Sequence, residues 1–212
     1  WSCGLREGVV YDALDAEEKR KDPLIEGCKD LAGRLARFPE HGQELATWTE
    51  ALFSDGGFGE SAAQKRLRHA ACILVDIGWY VHPDYRAHHA MTQILLAPFS
   101  GIDHPGRLYL ARVGYHRHEG RGEPELLGNL SGYLTEREHE RALVLGLALR
   151  LAFTLSGATM GMLPKTRFDI GKNSVTLVVP KKYEPLVGEI VAKRLSALAR
   201  ALGRKSNIKV GK

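Results

Sequence analysis

The sequence predicts a mainly α-helical protein: an all-helical body over residues 1–160, then a small basic β–β–α unit over 161–212. Three observations carry that expectation. Apolar residues recur at spacings of three and four through most of the first part, the period of helices with one buried face. Near residue 165 the pattern gives way to short β-branched runs. The charge balance changes at the same place. Residues 1–164 hold 18 Lys/Arg against 22 Asp/Glu, whereas residues 165–212 hold 12 Lys/Arg against Asp169, Glu184 and Glu189 alone.

The elements follow in order. In "DPLIEGCKDLAGRLARF" Leu24, Cys28, Leu31, Leu35 and Phe38 share a face, with Asp22 as cap and Pro23 in the first turn. "PEHGQELATWTEALF" repeats the pattern through Leu45, Trp48, Leu52 and Phe53. The glycine-rich "SDGGFGES" reads as a loop, and it is no P-loop because the G-K-[ST] ending is missing. Ser61 opens a helix that turns almost wholly apolar from Ala70 to Ile77, which marks it as central and buried. "HPDYRAHHAMTQILLAPF" is a turn and a helix, and Asp103 caps the next one. Thr135 with Glu138 forms a capping box for the longest helix, and Gly157 stops it. "TRFDI" and "SVTLVVP" flank the hairpin signal "GKN". In the final helix Leu186, Val187, Ile190, Val191, Leu195, Leu198 and Leu202 are expected to pack on the hairpin, leaving Lys193, Arg194 and Arg200 outside. The last eight residues, taken alone, also read as a solvated basic tail.

An apolar share of 44% supports a real core, and no window approaches ~18 uninterrupted apolar residues, so no membrane-spanning helix is expected. No signal-peptide pattern is present, and Trp1 suggests an excised or processed chain. Three cysteines, Cys3, Cys28 and Cys72, fit idle thiols in a reducing cytoplasm better than a disulfide framework. A short segment with a large positive surplus points to a partner with dense negative charge.

"AACILVDIGW", residues 70–79, resembles the centre of HD-type metal phosphohydrolases, in which an adjacent His and Asp join a His upstream and an Asp downstream around a metal. His41 falls at the upstream position and Asp76 keeps the carboxylate. Val75 replaces the paired histidine and Phe153 the downstream carboxylate, so the expectation is an HD-like fold without a metal site or catalytic residues. Among the other histidines, His69 reads as a hydrogen-bonded core residue and His104 as a surface one. His89 and His116, beside Arg86 and Arg117, are candidates for a groove shared with Asp76.

With these segments placed, the chain resembles the exopolyphosphatase and guanosine pentaphosphate phosphohydrolase family. "GLREGVVYDAL" looks like the segment leaving that family's catalytic core, "ARVGYHRHEG" like its "YHR" segment, and "VVPKKYEPLVGEIVAKRLSALARALG" like its final β–α unit. The resemblance implies that N-terminal actin-like domains, with Mg²⁺, hydrolyse the substrate, and that this region holds polyphosphate and contributes to a homodimer. No cofactor is expected in the present residues. Arg86, Arg117, Lys165, Arg167, Lys181, Lys182 and Arg194 are the candidate polyphosphate contacts, because lysine supplies point charge and arginine bidentate contacts to phosphate. Three rivals are an active HD phosphohydrolase on nucleotides, a nucleic-acid-binding module and a pure dimerisation domain, the last compatible with the polyphosphate reading. The first needs a metal despite Val75 and Phe153. The second lacks aromatics within the basic cluster beyond Phe168 and Tyr183.

Overall fold

The computed structural model describes residues 5–54 and 57–211. The expectations for Trp1, Cys3, Gly4, Asp55, Gly56 and Lys212 lie outside them. The fold is mainly α-helical, with one three-stranded sheet near the end of the chain.

The helical body runs α1 (Leu5–Ala13), α2 (Pro23–Leu35), α3 (His41–Phe53), α4 (Ala62–Ile73), α5 (Arg86–Leu96), α6 (His104–Glu119) and α7 (Glu136–Ser156). The caps expected from sequence are in place. Asp22 accepts from the Leu24 and Ile25 amides, Asp103 accepts from the Gly106 amide, and Ser61 and Thr135 each close a capping box. Gly157 ends α7 in the left-handed conformation at φ 59°. Helices α6 and α7 run side by side through the centre, and Leu110, Ala111, Leu145, Ala148 and Leu149 between them are fully buried.

One boundary differs. The apolar run 70–77 does not continue as α-helix; α4 stops at Ile73 and the chain passes through successive turns to Tyr80. Bonds from Ile77 to Leu74, Trp79 to Asp76 and Val81 to Gly78 show the tighter three-residue spacing. Leu74, Val75 and Ile77 stay buried, so burial alone could not have told helix from turn. The tightening presents Asp76 to the loop after α2. His69 is half-buried rather than a core residue, and its neighbour Arg68 is the polar side chain fully buried on α4.

After α7 come β1 (Arg167–Ile170), β2 (Ser174–Pro180), α8 (Glu189–Ala201) and β3 (Lys205–Gly211). Strands β1 and β2 form the expected antiparallel hairpin, with Phe168 opposite Leu177. The last residues are a third strand rather than a tail: β3 pairs parallel to β2, Leu177 opposite Ile208, so the unit is β–β–α–β. Its edge carries Lys205 and Lys209, charges that discourage edge-to-edge association. Leu186 and Ile190 do not pack on the hairpin. Residues 181–186 form a 3-10 turn containing Pro185, the helix begins at Glu189, and its buried stripe is Val191, Leu195, Leu198 and Ala199. Helix α8 packs against both α7 and the sheet. The core is continuous from helical body to sheet. Trp48 of α3 donates to Thr166 at 2.9 Å and packs on Phe168, and Glu44 accepts from the Gly161 and Leu163 amides.

Candidate functional site

The turns after α4 place Asp76 inward, 3% exposed. Arg37, in the loop between α2 and α3, grips its carboxylate in a fork, Nε to Oδ2 at 2.8 Å and Nη2 to Oδ1 at 2.7 Å. The Arg37 guanidinium also lies over the Trp79 ring at 5.3 Å, and the Trp79 indole N–H donates to the Leu35 carbonyl at 2.9 Å. From the last turn of α6, Arg117 reaches Asp76 Oδ1 at 3.5 Å and covers the Phe153 ring at 4.2 Å. His41 stacks on Phe153, centroids 5.4 Å apart.

His41, Asp76 and Phe153 therefore converge, as the HD-like pattern predicts. The chemistry of the place is altered, however. Its metal donors are reduced to His41 and Asp76, the Asp76 carboxylate is committed to two guanidiniums, and Phe153 supports one of them from below. Among the described residues no group of three His, Cys, Asp or Glu side chains could hold a metal ion. Two donors, one already saturated by arginine, do not fit a site that needs three or four.

Around this pair lies a wider set of cations. Arg117 is burdened by burial and by Arg37, Arg150 and Arg194, which together push its pKa down to about 10 although Asp76 opposes the shift. His118, whose Nδ1 meets Arg117 Nη1 at 2.9 Å, is driven far below the usual histidine range by burial and by Arg117, Arg86, Arg150 and Arg37. Arg150, deep in α7, donates to the His118 carbonyl, and Arg194 of α8 donates to the Arg150 carbonyl at 3.0 Å. Arg86 is tied to the Val81 carbonyl at 2.8 Å. Five guanidiniums thus share one neighbourhood, with Asp76 as the inner carboxylate and Glu119 beside Arg150 at the outer edge. Arg150 and Arg194 continue into a cavity of about 320 Å³ between the end of α6, α7 and α8.

Of the residues singled out from sequence, Arg86, Arg117 and Arg194 belong to this set. Arg194 is half-buried, not outside, because its guanidinium caps the Arg150 carbonyl. Lys165 and Lys182 instead flank the Tyr183 ring at 5.2 and 5.8 Å, with exposed Lys181 next in the chain. Arg167 stands apart, paired with Asp169 at 3.2 Å beside a groove that holds Glu40 and Glu44. His116 turns away from Asp76: its Nδ1 meets the Gly120 carbonyl at 2.8 Å, and His118 occupies the arginine side. His89 meets the Tyr80 hydroxyl at 2.7 Å. His104 is exposed at its helix start, as expected.

Sequence reasoning missed Arg37, Arg150 and His118. Nothing local marks Arg37, whose partner lies 39 residues away. Arg150 was readable, since it interrupts the apolar run "ALVLGLALRLAF", and an arginine inside a buried helix face must find polar company.

No curated protein matches the chain. Residues 24–209 match the family model described as exopolyphosphatase, C-terminal, which spans α2 through most of β3 and takes in every arginine of the cluster. The chain belongs to the exopolyphosphatase C-terminal family.

Proposed function

We propose that this chain grips polyphosphate for an exopolyphosphatase and does not itself cut it. One observation carries the reading: Arg37 and Arg117 share the inner carboxylate of Asp76, and Arg86, Arg150 and Arg194 lie close enough to Arg117 or its neighbour His118 to add to the positive field there. Half-buried like charges repel one another in a medium that screens them poorly, so a bound polyanion relieves the repulsion. Releasing the counterions condensed on polyphosphate adds to the gain, as it does for nucleic-acid binders. Lys165, Lys181, Lys182 and Arg167 extend the positive surface as exposed, weaker contacts.

In this reading hydrolysis belongs to N-terminal actin-like domains and their Mg²⁺, and two copies associate in the cytoplasm. Exposed Val9, Val10, Tyr11 and Leu14 along and just after α1 support a contact with those N-terminal domains. Buried, unpaired Cys28 and Cys72 suit a reducing compartment. No helix among the described residues is long and apolar enough to cross a membrane. The commitment of Asp76 to Arg37 and Arg117 weighs against an active HD phosphohydrolase.

The test is binding of long-chain polyphosphate across a salt series, with phosphate release followed in magnesium, manganese and zinc. Tight binding that weakens steeply with salt, without phosphate release, supports the reading. Metal-dependent phosphate release would revive the HD hydrolase. Equal competition by single-stranded DNA would favour a general nucleic-acid binder, and absence of binding would sink the proposal.

A further inference from the structure

The groove beside Arg167 differs in sign from the arginine cluster. One face of α3 supplies Glu40, Glu44, Thr47, Trp48 and Ala51, at spacings of three and four, and the segment from Met160 to Phe168 forms the other side of a space of about 570 Å³. That volume suits a small ligand, and the junction of two structural units is where such sites recur. The lining is mainly apolar, from Trp48, Ala51, Met160, Pro164 and Phe168. Its frame is fixed by hydrogen bonds: Glu44 accepts from the Gly161 and Leu163 amides at 2.9 and 3.0 Å, and the Trp48 indole donates to Thr166 at 2.9 Å. Glu40 is exposed, and neither it nor Glu44 makes an ion pair within 4.0 Å among the described residues. Arg167, which also lines the groove, is paired with Asp169. A chain of net charge +5 thus leaves two carboxylates without a cation beside an apolar surface. Their complement is a positive charge carried on an apolar body.

We infer that this groove binds a small organic cation with an apolar body, its charge at Glu40 and Glu44 and its body against Trp48, Met160 and Phe168. The site is independent of the polyphosphate reading, because a polyanion meets repulsion at the two carboxylates. A bound cation touches both α3 and β1 and so bridges the helical body and the sheet unit. Glu40 is the handle for testing the site. Its side chain makes no capping bond to α3 and no ion pair among the described residues, so replacing it leaves the fold intact.

Phenethylamine, protonated at neutral pH, is the probe, titrated into the 212-residue chain and followed by NMR. The Trp48 indole N–H signal should shift and saturate, while that of Trp79, bonded to the Leu35 carbonyl, should stay in place. Phenethyl alcohol and hydrocinnamate, of similar size without the positive charge, should bind more weakly. Glu40→Gln should weaken the amine about three- to fivefold, the scale of one partly exposed ion pair, and leave the alcohol unchanged. No saturation at Trp48, either uncharged or anionic probe binding as tightly as the amine, or an unchanged amine affinity in Glu40→Gln would overturn the site.

Discussion

At the residue scale the chemistry turns on Asp76, whose buried carboxylate is held by two guanidinium partners. Replacing one partner of a buried ion pair leaves the other charge uncompensated, which costs ~3–5 kcal/mol; Arg37 is about a third exposed, which favours the lower end. Asp76→Asn should therefore cost about 3 kcal/mol in urea unfolding. It should also tighten polyphosphate binding, because Arg37 and Arg117 lose their internal competitor. A variant that loses stability and affinity together would contradict that role. A second prediction concerns the buried imidazoles. Burial lowers the pKa of His116 to about 4, with Arg112 and His139 adding to the shift while Glu123 and the Gly120 carbonyl oppose it; burial and Arg117, Arg86, Arg150 and Arg37 lower His118 further. The unfolded chain then takes up protons that the folded chain refuses. Stability is full above pH 6.5 and falls as pH drops toward 4, with His116 accounting for on the order of 3 kcal/mol. Unfolding at pH 7 and pH 5 should show about 2 kcal/mol of the His116 loss in the parent protein, with the rest below pH 5, and a correspondingly smaller drop in His116→Gln.

At the element scale the helices were legible because periodicity, caps and breakers agree. Asp22, Ser61, Asp103 and Thr135 each start the helix that their side chains announce. The third strand was not legible as such: "KSNIKVG" alternates only weakly, and its pairing is parallel, set by the α8 crossover and not by a local turn. Close approach of helices was equally silent, since a glycine within a helix reads as a weak spot. A Cβ at Gly146 of α7 would lie 2.5 Å from His116 Cβ of α6, and one at Gly42 of α3 would lie 2.9 Å from Ile73 Cα of α4. Alanine gains up to ~1 kcal/mol in helix propensity, but the atoms it meets are backbone or Cβ and cannot swing aside. Overpacking of ~1–3 kcal/mol wins, so Gly146→Ala and Gly42→Ala should both lower the unfolding midpoint. The same change at Gly33 of α2, where nothing lies within 4 Å of the added Cβ, should raise it.

On the scale of the whole molecule, the charge asymmetry in the sequence singles out the C-terminal cations, and folding sets one of them among arginines of the helical body. The C-terminal surplus points to Lys165, Arg167, Lys181, Lys182 and Arg194, and folding places Arg194 near Arg117 and Arg150 of a body whose own balance is negative. A net count over residues 1–164 hides those arginines, because their local surplus is cancelled by acidic residues on other faces, such as Glu18, Asp30 and Glu50. Salt dependence separates the two sets. If the five arginines each meet a phosphate of a flexible chain, log K against log salt should slope at roughly −3.5, about −0.7 per contact. Arg194→Gln should make that slope shallower by about 0.7 and weaken binding at every salt concentration. Lys181→Gln with Lys182→Gln should weaken binding chiefly at low salt, since solvent-exposed charges are screened more strongly than half-buried ones near physiological strength. Should the lysine pair carry the slope instead, the grip lies on the exposed surface of the C-terminal unit, and the inner arginines serve to hold α6, α7 and α8 together.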